Sequence, residues 1–534
     1  MVDVNVPIPD RRWWRDAVIY QVYVRSFADS DGDGVGDLAG ITARLPHLDA
    51  LGVDALWITP FYPSPQHDHG YDVADYCDVD PLFGDLAAAD ALIARAHDLG
   101  LRVIVDLVPN HSSSEHPWFQ AALAAEPGSA ERDRYLFRTG RDGGEAPPNN
   151  WESVFGGPAW TRIEGSDQWY LHLFDSSQPD FDWRNPEVGD LFEGILRFWL
   201  DRGVDGFRVD VAHGLFKEKS LRDQEVDHEQ PTSDAIEMVQ RHVTDEPMWD
   251  QPEVHDVYRR WAKILDEYGD DRMAVAEAWT QTAESLARFI RPGELDQAFN
   301  FAWLLADWSA TAFAEIITDT LEAAASVDAA PTWVLSNHDV TRHTTRYGGG
   351  AVGLARAKAA TLTMLALPGA SYIYAGEELG LDEVDVPPEA RQDPTWHRGG
   401  GKFRDGCRVP LPWDGTEPPY AFGPGDGQPW LPQPLDWEEL TVAAQEGRAG
   451  STLEFYRAAL AARRSLLAGR GGDVEMLSPP DLGEGVLAFV RGDLTVVLNA
   501  GPTSVPLPAG QVVMASGPVS SELPPDTAVW LAQP

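Results

Sequence analysis

The chain has 534 residues, 43% hydrophobic and 10% aromatic, enough for a large buried core and, on length, roughly two to four domains. Its 41 Lys and Arg against 85 Asp and Glu leave a net charge of −44, which opposes contact with nucleic acid or anionic lipid and suits an uncharged partner. No segment is apolar for the roughly 18 residues that a membrane span requires, and "MVDVNVPIPDRRWWRDAVIY" lacks the basic and then apolar run of a secretory signal. The reading is therefore a cytoplasmic protein with no membrane partner.

From the start, short β-branched runs alternate with amphipathic, Ala/Leu-rich stretches. "DAVIYQVYV" leads to "ITARLPHLDALG", "DALWITPF" leads to "DLAAADALIARAHDLG", and "RVIVDLVPNH" follows. This spacing predicts βα units of a parallel sheet. Within the first unit, "DSDGDGVGDL" places oxygen donors at Asp29, Asp31, Asp33 and Asp37, with Gly34 for a sharp turn and the Val35 carbonyl between them. That is the opening of an EF-hand-like calcium loop, although Gly40 stands where the closing Glu belongs. Alternating carboxylates repel one another without a cation, so a structural divalent ion is expected.

After residue 111 the rhythm breaks for about seventy residues rich in Pro, Gly, Asn, Trp and Asp, a length that suggests a loop grown into a subdomain over 112–181. It resumes at "GDLFEGILRFWLDRG", with strands predicted at "VDGFRVDVAH", "MAVAEAW", "LDQAFNF", "TWVLSNHD" and "ASYIYAGEELG". With the first three these make eight, and eight βα units predict an α/β fold, a (β/α)8 TIM barrel over 1–111 and 182–468. A long Gly/Pro/Trp-rich loop at 382–450 is expected to rim its mouth, and "STLEFYRAALAARRSLL" to close it. The tail, 469–534, reads as a C-terminal antiparallel β-sandwich. Cys77 and Cys407, the only cysteines, read as two core thiols, with a single disulfide between them as the alternative.

Charged residues recur at the ends of the predicted strands: Asp106, Asn110 and His111, then Arg208 and Asp210, Glu277, and Asn337, His338 and Asp339. Catalytic residues of such barrels come from those ends. Any one of them reads equally well as a helix cap or a turn, but four sets at the same end of successive strands do not. Three acids with an arginine suit retaining glycoside chemistry, which needs one ionised carboxylate and one protonated carboxylic acid. Arg208, two residues before Asp210 and on the same strand face, favours an ionised Asp210; Ala276, Ala278 and Trp279 give Glu277 an apolar setting that favours the acid.

In this order "DLVPNH", "GFRVDVAH", "AEAW" and "LSNHD" resemble the four signature regions of the α-amylase family, glycoside hydrolase family 13. The resemblance implies Asp210 as nucleophile, Glu277 as general acid/base and Asp339 as the third acid, with His111, Arg208 and His338 lining the subsite of the cleaved glucose. "HGYDVADY", "YLHLF", "QPDFDW" and "CRVPLPW" are similar to stretches of exo-acting α-glucosidases and oligo-1,6-glucosidases. That likeness implies an Asp72–Arg408 clamp on the terminal sugar, Tyr71 and Phe174 as apolar faces, Gln178 as a polar wall, and Ca2+ or Mg2+ in the 29–37 loop. For Phe174 and Tyr71, core packing is the competing reading.

Two departures bear on linkage. "QPDFDW" has Phe181 and Asp182 where oligo-1,6-glucosidases read Leu-Asn, and "DVAHG" replaces their "DVIN" around Val211, a residue that accompanies α-1,6 cleavage in relatives. Strand alternation carries Val211 away from Asp210, toward the barrel wall. The expectation is a retaining exo-α-glucosidase acting on short α-1,4- and α-1,6-glucosides without an organic cofactor. Its rivals are a glucosyl-transferring isomerase such as trehalose synthase or sucrose isomerase and, more remotely, a binding protein on a dead barrel. Nothing in the sequence speaks to oligomeric state.

Overall fold

The computed structural model describes residues 12–226, 243–398, 403–425, 427–467, 472–477, 483 and 485–532. The first eleven residues, read above for a leader, and the junction near 468 lie outside them.

Eight parallel strands form one sheet: β1 (Val18–Val22), β2 (Ala55–Ile58), β3 (Arg102–Leu107), β4 (Gly206–Val209), β5 (Met273–Ala276), β6 (Gln297–Ala298), β7 (Thr332–Val334) and β8 (Ala370–Tyr374). The hydrogen-bonded order is β6-β5-β4-β3-β2-β1-β8-β7, so the sheet curls into a nearly closed barrel whose two edges, β6 and β7, meet without a ladder. Each strand is followed by a helix: α1 (Leu38–Leu51), α2 (Leu86–Asp98), α3 (Pro186–Asp201), α4 (Val254–Glu267), α5 (Ala283–Ala287), α6 (Ala310–Ser326), α7 (Gly350–Ala366) and α8 (Thr452–Leu467). Asp37, Asp85 and Asn185 cap α1, α2 and α3 through their side-chain oxygens.

The strands read as continuous apolar runs because both of their faces are covered. Ile19, Trp57, Ile104, Val275, Val334 and Tyr372 fill the lumen, while Tyr20, Leu56, Val103, Phe207, Ala274 and Trp333 pack outward under the helices. Phe207 and Val209 are both in the outer set, so Arg208 between them must face the lumen.

Between β3 and α3 the chain forms a helix (Pro117–Ala124) and a three-stranded antiparallel sheet (Phe137–Thr139, Gln168–Leu171 and Trp160–Arg162). That insertion has its own core, built on Leu136, Trp151, Trp160 and Leu171. After α8, five antiparallel strands and a two-stranded ribbon form the C-terminal unit. Trp530 bonds the α7 carbonyl of Leu362, and Trp308 bonds Asp526, so this unit is docked on the barrel.

Candidate active site

Arg208 sits at the centre of the barrel mouth, fully buried. Its Nη1 donates to Asp106 Oδ1 at 2.7 Å and to Asp210 Oδ1 at 2.6 Å, and its Nη2 to Glu277 Oε2 at 2.7 Å. One guanidinium therefore serves three carboxylates supplied by β3, β4 and β5. Trp57 Nε1 and the Tyr71 hydroxyl both donate to Asp106 Oδ2 at 3.1 Å, and burial pushes Asp106 up to about 6 against the pull of Arg208.

Two sequence expectations change here. Glu277 is not in an apolar setting: besides Arg208, the Val211 amide donates to its Oε2 at 3.1 Å and Trp279 Nε1 to its Oε1 at 3.0 Å. Arg208 does not hold Asp210 ionised unopposed either. Burial raises the Asp210 carboxyl well above its ordinary value, Arg208 opposes, and the nearby Glu277 and Asp106 raise it further. Burial and the neighbouring acids thus raise Asp106 and Asp210 together around a single cation.

Val211 also departs from its expected geometry. The strand ends at Val209, and Val211 adopts φ 47°, a left-handed conformation that a β-branched residue pays for with roughly 1–3 kcal/mol. Alternation therefore does not reach it. The turn aims its amide at Glu277, and the side chain is buried against the position of Gly214.

A second cluster lies beside the first. Asp339 Oδ1 accepts from Arg404 Nη1 at 3.0 Å and Arg408 Nη2 at 2.9 Å, and its Oδ2 lies 3.2 Å from His338 Nε2. Burial alone would raise Asp339, but His338, Arg404 and Arg408 together hold it well below the usual carboxylate range. Arg404 reaches on to Asp68 Oδ1 at 2.9 Å and is clamped by the buried Asp393 through Nε at 2.8 Å and Nη2 at 3.0 Å. Gln178 Nε2 donates to Asp68 Oδ2 at 3.1 Å and lies 3.1 Å from His111 Nε2.

The remaining predicted residues divide. Tyr71 stacks on His338 with ring centroids 5.3 Å apart, and His111, pushed down to about 4 by burial, stays neutral beside Phe174 at 5.1 Å. Asp72 stands elsewhere. Its carboxylate is occupied by its own loop, accepting from Ser64 Oγ at 2.9 Å, His67 N at 2.9 Å and Asp68 N at 3.0 Å. The carboxylate that meets an arginine at this rim is Asp68, and that arginine is Arg404. "QHDHGYD" offers two acids around Tyr71 and "FRDGCR" two arginines; the loop hydrogen bonds that separate them are not visible in a sequence. Lys217, also not predicted, is buried with Asp180 at 2.6 Å and Asn110 at 2.7 Å, tying β3 to the insertion.

The 29–37 loop packs on the 382–450 segment, the Asp29 amide donating to the Phe422 carbonyl and the Trp430 amide to the Gly34 carbonyl, both at 2.9 Å. Oxygens of Asp29, Asp31 and Asp37 come within 4.8 Å of one another, a set of hard donors that fits a divalent cation. Asp33 is not in that set; its Oδ1 accepts from the Val35 amide at 2.8 Å. Gly34 has φ 91°, and a Cβ there would meet the Gln428 carbonyl at 2.3 Å, so only glycine lets this loop seat against the 382–450 segment.

The model of the alpha amylase catalytic domain matches residues 21–469. The chain belongs to the α-amylase family of glycoside hydrolases. It is 40% identical over 481 residues to a probable alpha-glucosidase of Rhizobium meliloti (strain 1021), covering 88% of this chain and 86% of that one. To an oligo-1,6-glucosidase of Parageobacillus thermoglucosidasius it is 33% identical, covering 85% and 84%. Among solved structures, an alpha-glucosyl transfer enzyme superposes with a TM-score of 0.86 at 36% identity, over 97% of this chain and 99% of that one. With relatives named as glucosidases at 33–40% identity over most of its length, the chain is a glycoside hydrolase, and the dead-barrel reading falls away. Among the described residues, no helix is long and apolar enough to cross a membrane.

Proposed function

We propose that this member of the family is a retaining exo-α-glucosidase that removes terminal glucose from short α-1,4- and α-1,6-glucosides. The observation that carries the reading is the close pair Asp210 and Glu277, both held by Arg208 at 2.6 and 2.7 Å. An inverting enzyme keeps its two carboxyls about 6.5–9.5 Å apart to admit a water between them.

In this mechanism Glu277 supplies the acid proton and Asp210 is the ionised nucleophile when the sugar is bound. An Asp210 oxygen attacks C1, the C1–O bond to the leaving sugar breaks, and Glu277 gives its proton to that oxygen. In the second half, Glu277 takes a proton from water, the water oxygen bonds to C1, and the C1–Asp210 bond breaks, releasing α-glucose. Asp339, kept ionised by its two arginines and His338, holds sugar hydroxyls. Asp68 with Arg404, rather than Asp72, closes the pocket alongside Arg408, His111 and Gln178, which makes the enzyme exo-acting.

We further assign Asp29, Asp31 and Asp37, with the Val35 carbonyl, as holders of a structural Ca2+ or Mg2+; Asp33, expected as a ligand, turns its Oδ1 to the Val35 amide instead. A cytoplasmic setting is supported by the unpaired Cys77 and Cys407. A glucosyl-transfer reading uses the same atoms and draws support from the likeness to a transfer enzyme. Maltose, isomaltose, sucrose, trehalose and starch assayed side by side decide between them. Glucose released as the α-anomer from the disaccharides, with little action on starch, is expected; trehalose or transfer products in place of glucose overturn hydrolysis. Chelation lowers the melting temperature by the lost binding to the native state, about 2.7 kcal/mol for a metal at a hundredfold excess over its Kd. An unchanged melting curve with no metal by elemental analysis removes the metal from the assignment.

A further inference from the structure

The helical shell is uneven. α5 has 5 residues where α4 has 14 and α6 has 17, and it covers the stretch of wall next to the seam where β6 and β7 meet without hydrogen bonds. A short helix over an open seam leaves space, and between α5, α6 and the two strand edges there is a cavity of about 440 Å3. That volume falls in the range of roughly 300–1,000 Å3 typical of small-molecule sites.

Its walls have a definite chemistry. Asn300 Nδ2 donates to Thr320 Oγ1 at 2.8 Å, which leaves the Thr320 proton for a further acceptor. Gln281 and Thr282, both exposed, line the loop end of the same cavity and add an amide and a hydroxyl to its walls. Phe299 and Phe301 add apolar surface, and the two charged residues of the lining, Glu284 and Asp319, are both acidic. Anions are thereby excluded, and the hydroxyl and amide donors and acceptors beside aromatic faces suit a neutral polyhydroxylated molecule.

The cavity also touches the catalytic machinery of the reading above. Phe301 stacks on Trp279 with ring centroids 3.5 Å apart, and Trp279 Nε1 donates to Glu277 Oε1. We propose that the β6–β7 seam cavity is a second, non-catalytic site for a neutral monosaccharide, placed so that its occupant bears on Glu277 through Phe301 and Trp279. The link to Glu277 rests on the α-glucosidase reading; the binding does not.

Glucose titrated calorimetrically into the whole protein tests it. Two glucose molecules per chain are expected. In Thr320→Val, which keeps the shape and loses the hydroxyl, the affinity of one of the two should fall roughly tenfold, with kcat on maltose unchanged. Ala324→Leu, which adds volume to the α6 wall of the cavity, should abolish that second binding. In wild type, inhibition by glucose should be mixed, becoming purely competitive in Ala324→Leu. A single glucose per chain, equal second-site affinity in wild type and both variants, or displacement of the second glucose by an amine such as Tris rather than by other neutral sugars overturns the proposal. Because binding is read without turnover, a protein that binds two glucose molecules and cleaves no α-glucoside refutes the activity and leaves the site standing.

Discussion

Two carboxylate clusters share the mouth of this barrel and differ in their ratio of cations to acids. Around Arg208, one guanidinium faces Asp106, Asp210 and Glu277; around Asp339, Arg404 and Arg408 face Asp339, Asp68 and Asp393. Burial acts on both. In the first it prevails and Asp210 is raised, whereas in the second the cations prevail and Asp339 is lowered. Within the second cluster the outcome differs acid by acid: Asp339, bonded to both arginines, is lowered, whereas Asp68, which meets one of them, is raised to about 6 by burial. A proton-handling pair and a permanently ionised sugar ligand can therefore stand side by side in one pocket.

The hardest test of that division is to neutralise the proton-handling pair. Asp210→Asn or Glu277→Gln should lower kcat/KM on maltose by at least about a thousandfold with the circular dichroism intact, since each removes a group used in the transition state. Stability should move in opposite directions in the two clusters. A raised Asp210 favours the fold fully below its unfolded value near pH 4 and loses that contribution as pH rises, so Asp210→Asn should melt higher than wild type at pH 7. A lowered Asp339 contributes stability above about pH 4 and loses it as pH falls. Asp339→Asn should therefore cost about 3 kcal/mol at pH 7, by leaving buried arginines under-paired, and progressively less in acid. Thermal melts from pH 3 to pH 8 check both, and shifts of the same sign would erase the distinction.

These clusters also mark how far the sequence could be read. The barrel, the inward Arg208 and the gathering of Asp210, Glu277 and Asp339 were legible because strand alternation and strand-end position are local rules. What was not legible is set by contacts between distant segments. Glu277 gains its donors from Val211, one strand away, and from a Trp279 whose ring is positioned by Phe301. Asp68 meets Arg404 across 336 residues, whereas Asp72 is taken up within eight. Alternation also failed at Val211, one residue beyond Asp210, because the chain leaves the strand there in a left-handed turn.

The Asp68 and Asp72 pair sharpens the second cluster. Asp68→Asn should raise KM for maltose and lower kcat/KM by about 2 kcal/mol, near thirtyfold, the cost of a lost charge-assisted hydrogen bond. Asp72→Asn should leave kcat/KM within a few fold and show instead in the melting temperature, because its partners are loop amides. Equal kinetic penalties would return Asp72 to the pocket.

The smallest expected effect is at Val211, where backbone and side chain can be separated. The amide serves Glu277 whatever the side chain, and Val211→Thr preserves β-branching and so the strain of the left-handed turn. The substitution exchanges one methyl for a hydroxyl at the residue next to the nucleophile, and if the side chain shapes the pocket a change of that size is worth about 1 kcal/mol or a little more. Wild type should accept both isomaltose and maltose, and Val211→Thr should move the ratio of their kcat/KM values roughly fivefold toward maltose. Because the amide is untouched, kcat on the better substrate should hold within twofold. A shifted ratio assigns linkage preference to the side chain of a residue whose backbone belongs to the acid. An unmoved ratio means that Val211 acts through its amide alone, and the first cluster then controls the proton without selecting the bond.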